Sequence, residues 1–368
     1  MYDYCLDFTF TSFNNSNVCS IKLYVNMNVI RRSLCKSRQI KVHYLLQRLY
    51  CTDDLEGGVP LSFWSFEPAE PAQNQPVIIM HGLFGSNHNW TAISKKVARA
   101  TSRRVLVPDA RNHGRSPHTH YMDYSLMSED IQLLMRREGI SQAAIVGHSM
   151  GGRTAMALAL NKNSAVERLV VVDVAPTRME AGTFSPEYRQ ATRRATLKGT
   201  SLSTIKHAQE VERILETPSN FPEYVKALLQ VRFDGEPTLL EARRSASDQI
   251  AWAVENELIR AFLVTNVTEE NGIYGWKCNL KAIAANLNHI TAFTSFNQQY
   301  SGDTLFIGGG NSAYFTKADY PEVYRLFPRA QIVNIDGAGH WVHYDKPHEF
   351  MQHLISFLNA PSDQLQST

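Results

Sequence analysis

The sequence predicts an α/β fold: a mostly parallel central sheet with helices on both faces and an inserted helical lid. Three observations carry this. Short apolar runs such as Val77-Ile78-Ile79-Met80 and Leu169-Val170-Val171-Val172 recur, as parallel strands covered on both faces do. Stretches of helical period separate them at the spacing of βαβ units. The alternation then stops at Pro176 and sheet-like sequence returns only at Thr304.

The elements follow in order. Residues 61–66 alternate and predict an early strand, and the Pro-rich stretch 67–76 is a loop. A buried strand over 76–80 ends at His81-Gly82, a helix covers 92–100, and a strand over 104–108 runs into Asp109-Ala110-Arg111-Asn112-His113-Gly114-Arg115-Ser116. An amphipathic helix over 127–138 precedes a strand over 143–147, a helix over 151–160 and a strand over 169–172 ending at Asp173. Residues 176–297 read as helical and polar, with no strong strand, and form the lid. Strands over 304–308 and 331–335 and a helix over 349–358 complete the sheet domain. The organisation is thus a basic leader (1–52), a core (53–175 and 298–360), the lid between its halves, and a polar tail (361–368).

Bulk properties narrow the function. A hydrophobic content of 43% and a charged content of 20% fit a globular chain with a sizeable core. A net charge of +2 gives no reason to expect a nucleic-acid partner. No apolar run approaches the roughly 18 residues needed to span a bilayer. Five cysteines, an odd number with no Cys-x-x-Cys pair, argue against a disulfide framework or a thiolate zinc site. The leader has no Asp or Glu between Phe8 and Thr52 but carries Lys22, Arg31, Arg32, Lys36, Arg38, Lys41 and Arg48. That composition is that of a mitochondrial transit peptide, with a disordered basic tail in the cytoplasm as the alternative.

The chemistry concentrates in Gly147-His148-Ser149-Met150-Gly151. It matches G-x-S-x-G between a strand and a helix, the context in which a serine is lifted above the sheet on a strained turn. Ser149 is the expected nucleophile. Its base should be His340, in the small-residue loop Gly337-Ala338-Gly339-His340-Trp341 after a strand. The N–H groups of Met150 and Leu83 are the expected oxyanion donors, the second from His81-Gly82-Leu83-Phe84-Gly85. His81, Gly82 and His148 are expected to line the substrate site. For the acid, the loop after the penultimate strand, Gly308-Gly309-Gly310-Asn311-Ser312-Ala313-Tyr314, holds no carboxylate. Asp173, at the carboxyl end of an earlier strand, keeps the order Ser, Asp, His and is preferred, with Asp336 as the alternative. The Asp109 to Ser116 stretch reads as scaffold. Serine at the elbow disfavours a carboxylate nucleophile, the lack of His-Glu-x-x-His disfavours zinc hydrolysis, and Gly308-Gly309-Gly310 lacks the G-x-G-x-x-G of a dinucleotide site. No metal or organic cofactor is required. A non-catalytic binding or chaperone-like protein on the same fold is the competing class.

His81-Gly82-Leu83-Phe84-Gly85-Ser86, Asp109-Ala110-Arg111-Asn112-His113-Gly114, Gly147-His148-Ser149-Met150-Gly151-Gly152, Gly309-Gly310-Asn311-Ser312 and Gly337-Ala338-Gly339-His340-Trp341 together resemble the family of α/β-hydrolase domain-containing protein 11 and related bacterial esterases. The resemblance runs from about residue 61 to about residue 358. It implies an α/β-hydrolase fold and a serine esterase or lipase-like activity on acyl esters or thioesters. It also implies mitochondrial residence in animals and, as partner, the 2-oxoglutarate dehydrogenase complex. Two departures stand out. The lid is longer than the family's around residues 219–247, so substrate preference is not carried over. Where some family descriptions put the acid, in the stretch resembling Asn279-Leu280-Lys281-Ala282, this chain has Lys281, which strengthens Asp173.

A fluorescent reporter fused to residues 27–50 is expected to accumulate in mitochondria; a diffuse cytosolic signal would contradict the reading of the leader.

Overall fold

Consecutive apolar residues are buried on both sides at once only inside a covered sheet, and that is where the chain puts them. The computed structural model describes residues 58–70, 72, 74–177, 221–293 and 295–361, all within one compact unit spanning Cys51–Thr368. The basic leader, the first part of the lid (178–220) and most of the polar tail lie outside the described residues.

The strands are β1 (Phe63–Phe66), β2 (Val77–Met80), β3 (Val105–Pro108), β4 (Ala143–His148), β5 (Val166–Val172), β6 (Val267–Glu270), β7 (Ile273–Trp276), β8 (Asp303–Gly309) and β9 (Ala330–Ile335). Seven of them form one sheet in the order β1-β3-β2-β4-β5-β8-β9. Only β1 runs antiparallel, with Phe63 opposite Pro108 and Phe66 opposite Val105. The helices of the first half are α1 (Thr91–Thr101), α2 (Tyr124–Arg137) and α3 (Met150–Asn161). The insertion carries α4 (Phe221–Gln230), α5 (Leu239–Gln249), α6 (Glu257–Val264), α7 (Leu280–Ala285) and α8 (Leu287–Thr291). The second half of the core adds α9 (Tyr320–Leu326), α10 (Val342–Asp345) and α11 (Pro347–Asn359). Among the described residues no helix is long and apolar enough to cross a membrane.

Successive side chains of a strand point to opposite faces, so each apolar run feeds two cores. Ile78, Leu106, Ile145, Leu169, Val171 and Phe306 pack with α2, α3 and the inner face of the lid. Val77, Ile79, Val105, Val146, Val170 and Ile307 pack with α1 and α11. The parallel strands all end on one edge of the sheet, and the elbow, the Asp173 turn and the His340 loop follow β4, β5 and β9 there.

The insertion, expected to hold no strong strand, contains one short strand pair. β6 and β7 form an antiparallel hairpin with Glu270 opposite Ile273. Its turn is Asn271-Gly272, both with positive φ (54° and 79°), the pairing that a two-residue turn between right-twisted strands demands. The exposed flanks, without apolar alternation, hid the strands.

Arg111 and Asp130 clamp the β3 loop to α2. Arg111 Nε and Nη2 each lie 2.7 Å from a different Asp130 oxygen, and both side chains are buried. Val59 N–H adds a third bond to the same carboxylate at 2.6 Å. Removing the cation strands a buried carboxylate, so Arg111→Met is expected to cost about 3–5 kcal/mol in urea denaturation. A loss under 1 kcal/mol would show that the pair is not a brace.

Candidate active site

Ser149 follows the last residue of β4 and precedes α3, with φ 53° and ψ −117°. That is a strained conformation for a residue with a side chain. The fold over-determines it. Ser149 N–H donates to Val172 C=O (3.0 Å) and Arg153 N–H donates to Ser149 C=O (3.0 Å). The flanking glycines are needed for close approach. A Cβ on Gly147 would lie 2.2 Å from the Gly151 oxygen, and one on Gly151 would lie 2.5 Å from the Met80 oxygen. Ser149 stays partly exposed, whereas its neighbours are buried.

Asp173 continues β5 through its N–H bond to Ile307 C=O (2.9 Å), then turns with φ 51°. Its carboxylate faces three donors. His340 Nδ1 lies 2.7 Å from Oδ2, Gly309 N–H donates to Oδ1 at 2.8 Å, and Ser312 Oγ–H donates to Oδ2. Burial pushes the Asp173 carboxyl up from its ordinary pKa, and the Ser312 and Gly309 donors work against the rise. Burial pushes His340 down, so its resting imidazole is neutral. With its proton on Nδ1 toward Asp173, Nε2 is the unprotonated nitrogen of the ring. The Tyr314 ring stacks on His340, centroids 3.8 Å apart and planes 18° off parallel. Asp336, the alternative acid, is exposed and has no such contact with His340.

Sequence reasoning missed Ser312 and Tyr314 as neighbours of the pair. The signal was present: Gly309-Gly310-Asn311-Ser312 sits where the penultimate strand ends. There the glycines let the two loops touch, since a Cβ on Gly309 would lie 2.2 Å from the Gly339 oxygen. The loop offers donors in place of a carboxylate.

The loop expected to supply an oxyanion donor is a tight turn closed by Gly85 N–H to Gly82 C=O (2.9 Å). Gly82 lies against the elbow, where a Cβ would come 3.2 Å from Ser149 Cβ. Among the described residues, no protein acceptor takes the N–H of Leu83 or of Met150. Phe84 N–H, in contrast, donates to His113 Nε2 at 3.1 Å.

Two residues expected to line the substrate site use their ring nitrogens on backbone groups. His81 accepts from Ala110 N–H at Nε2 (2.9 Å) and donates from Nδ1 to Gly82 C=O (2.8 Å), so both ring nitrogens brace loops. His148 donates from Nε2 to His340 C=O (2.9 Å) and is buried beneath that loop. Asp109 is scaffold, taking N–H bonds from Asn87 (2.8 Å) and Arg115 (2.9 Å). The insertion is tied to the same edge of the sheet. Arg153 of α3 donates to the carbonyls of Ala175, Thr177, Ile290 and Thr291, and Asn279 N–H donates to Asn112 C=O (2.8 Å). Among the described residues no group of three His, Cys, Asp or Glu side chains is arranged to hold a metal ion.

Comparison with known proteins shows the family. A family profile described as alpha/beta hydrolase fold matches residues 75–347. The chain is 39% identical over 283 residues to sn-1-specific diacylglycerol lipase ABHD11 of Danio rerio, covering 77% of this chain and 78% of that one. It is 26% identical over 295 residues to Esterase YbfF of Escherichia coli (strain K12), covering 79% and 97% respectively. Among solved structures it resembles a marine microorganism esterase, with a TM-score of 0.64 and 30% identity over 82% of this chain and all of that one.

The buried histidines set a pH dependence. Burial and the His81 charge push His113 down to about 3, and burial pushes His81 down against the pull of Asp109. The unfolded chain takes up those protons near pH 6.5 and the folded chain does not. The stability they contribute is therefore complete above 6.5 and is lost as pH falls toward 3. His113 alone should cost about 2 kcal/mol at pH 5. Urea-denaturation free energies are expected to fall over pH 7 to 5, with a shallower slope in His113→Gln. Equal slopes would contradict the assignment.

Proposed function

The chain belongs to the α/β-hydrolase family and, within it, to the group of ABHD11 and related bacterial esterases; it is a serine-type carboxylic ester hydrolase, and we propose that it works through an acyl-enzyme on Ser149. The observation that carries the proposal is the 2.7 Å contact between His340 Nδ1 and Asp173 Oδ2, at the end of β5, with a serine held on a strained elbow at the end of the neighbouring strand β4. Ser149 Oγ attacks the acyl carbonyl and His340 Nε2 takes its proton. Asp173 keeps the other proton on Nδ1 and stabilises the imidazolium as it forms. Leu83 and Met150 N–H receive the oxyanion, and the N-terminus of α3 adds its partial positive charge. His340 then returns the proton to the leaving alcohol or thiol, and water, deprotonated by the same imidazole, releases the acid.

The substrate class is an acyl ester of small-molecule or lipid size. The relatives named sn-1-specific diacylglycerol lipase make diacylglycerol the first substrate to try. The acid-free basic leader and the family resemblance support mitochondrial residence. The resemblance alone supports a 2-oxoglutarate dehydrogenase complex as partner.

A fluorophosphonate probe is expected to label the native protein and not Ser149→Ala. Asp173→Asn should fold normally yet lose about 10⁴ in turnover, because the imidazole then takes the wrong tautomer. Undiminished labelling of Ser149→Ala would remove the proposal, and near-native turnover of Asp173→Asn would remove the role of the acid.

A further inference from the structure

The ring of Tyr314 lies face to face with that of His340. Their centroids are 3.8 Å apart and their planes 18° off parallel. Carbon atoms of stacked rings touch at about 3.5 Å, so this spacing leaves little sideways offset. Two neutral rings disfavour such a sandwich, because both faces carry partial negative charge; they prefer an offset or an edge-to-face contact. The sign reverses when one ring becomes a cation. A positive charge over the face of a tyrosine is attracted to it within roughly 6 Å of the ring centre. The pair is therefore better matched to a His340 imidazolium than to the resting imidazole.

The backbone imposes this arrangement. Tyr314 belongs to the loop after β8 and His340 to the loop after β9. Gly310 N–H donates to Ile335 C=O (2.8 Å) and Asn311 N–H to Ala338 C=O (2.9 Å), which bonds one loop to the other. Tyr314 N–H donates to Ser312 Oγ at 3.1 Å, and the next residue, Phe315, stacks on Phe306 of β8. Tyr314 is buried, so the contact is made away from water, where such an attraction is strongest. Titratable groups face His340 from other elements too. Asp173, after β5, lies against Nδ1. His148, at the end of β4, has its ring centroid 4.7 Å away at a tilt of 42°, and His343 of α10 is close by; burial keeps both neutral. Asp345 of α10 is engaged with Gly339 N–H at 2.8 Å.

We propose that Tyr314 is a positioning residue for the general base, its ring face stabilising the positive charge that His340 gains on taking the Ser149 proton. The stack contributes little while the imidazole is neutral and strengthens as the charge develops. Its effect therefore falls on turnover rather than on substrate affinity. Asp173 meets the charge at one edge of the imidazole, and Tyr314 meets it over one face. The inference rests on the acyl-enzyme reading above and adds a second source of stabilisation for the imidazolium.

The test uses full-length Tyr314→Phe and the same variant with one, two or three fluorines on the ring at position 314. Each fluorine withdraws negative charge from the ring face and leaves the shape nearly unchanged. All four variants lack the hydroxyl, so differences among them report the face alone. Across the series kcat on 4-nitrophenyl butyrate is expected to fall in even logarithmic steps, about tenfold in total, with KM within about threefold. Each variant is also treated with an alkyl trifluoromethyl ketone. Ser149 Oγ adds to the ketone carbon, the carbonyl π pair becomes an oxyanion, and the Ser149 proton passes to His340. The pH at which the resulting imidazolium is lost, read from its Nδ1 proton by ¹H NMR, should fall with each fluorine, by about one unit in all. Equal kcat and equal titration in all four would overturn the proposal. So would a graded loss of kcat with an unchanged titration, which marks Tyr314 as merely structural. Thermal melts identify the folded variants, and any two of them set the slope. Absence of any adduct on the native protein would instead remove the acyl-enzyme reading on which the inference stands.

Discussion

The arrangement above the sheet depends on one buried carboxylate. Asp173 meets donors from two neighbouring strand ends, Gly309 at the end of β8 with Ser312 just beyond it, and His340 after β9. Removing a carboxylate from water costs several kcal/mol unless its lone pairs are filled. Each donor therefore helps to offset the burial of Asp173, and all of them must be in place together. That requirement joins β5, β8 and β9 into a single catalytic edge. It also puts the carboxylate that meets His340 at the end of β5, with Ser312 of the loop after β8 bonded to it.

Close backbone approach is the second constraint. Gly147 and Gly151 at the elbow, and Gly309 against the His340 loop, sit where any Cβ would run into a carbonyl oxygen. Histidines fill the spaces between loops. His81, His113 and His148 each use ring nitrogens on backbone groups, and burial holds all three below their ordinary pKa. Imidazole suits this work because its neutral form offers one donor and one acceptor on opposite sides of a rigid ring. The histidines around His340 thus form a neutral frame, and burial keeps His340 itself neutral at rest.

The strands of the sheet were legible because burial on two faces leaves an unbroken apolar run. The elbow was legible because its glycines answer a steric demand at fixed spacing. Asp173 could be singled out by the absence of a carboxylate after β8, since chain order left few alternatives. Other features depend on contacts that spacing does not encode. His81 and His148 lie next to chemistry in sequence, yet their rings turn to backbone partners, which only the loop packing decides. Ser312 gains its place from a residue 139 positions away. The β6–β7 hairpin carried one local sign, Asn271-Gly272, and its short strands lacked the alternation that normally betrays a half-buried pair.

The central claim is that acyl transfer passes through Ser149. Intact-protein and peptide mass spectrometry, after quenching with a slowly deacylating ester, tests it most directly. The account predicts an added mass equal to the acyl group, confined to the peptide containing Ser149 and decaying at the rate of turnover. Steady hydrolysis with no acyl mass on that peptide, or with the mass on another residue, would contradict it.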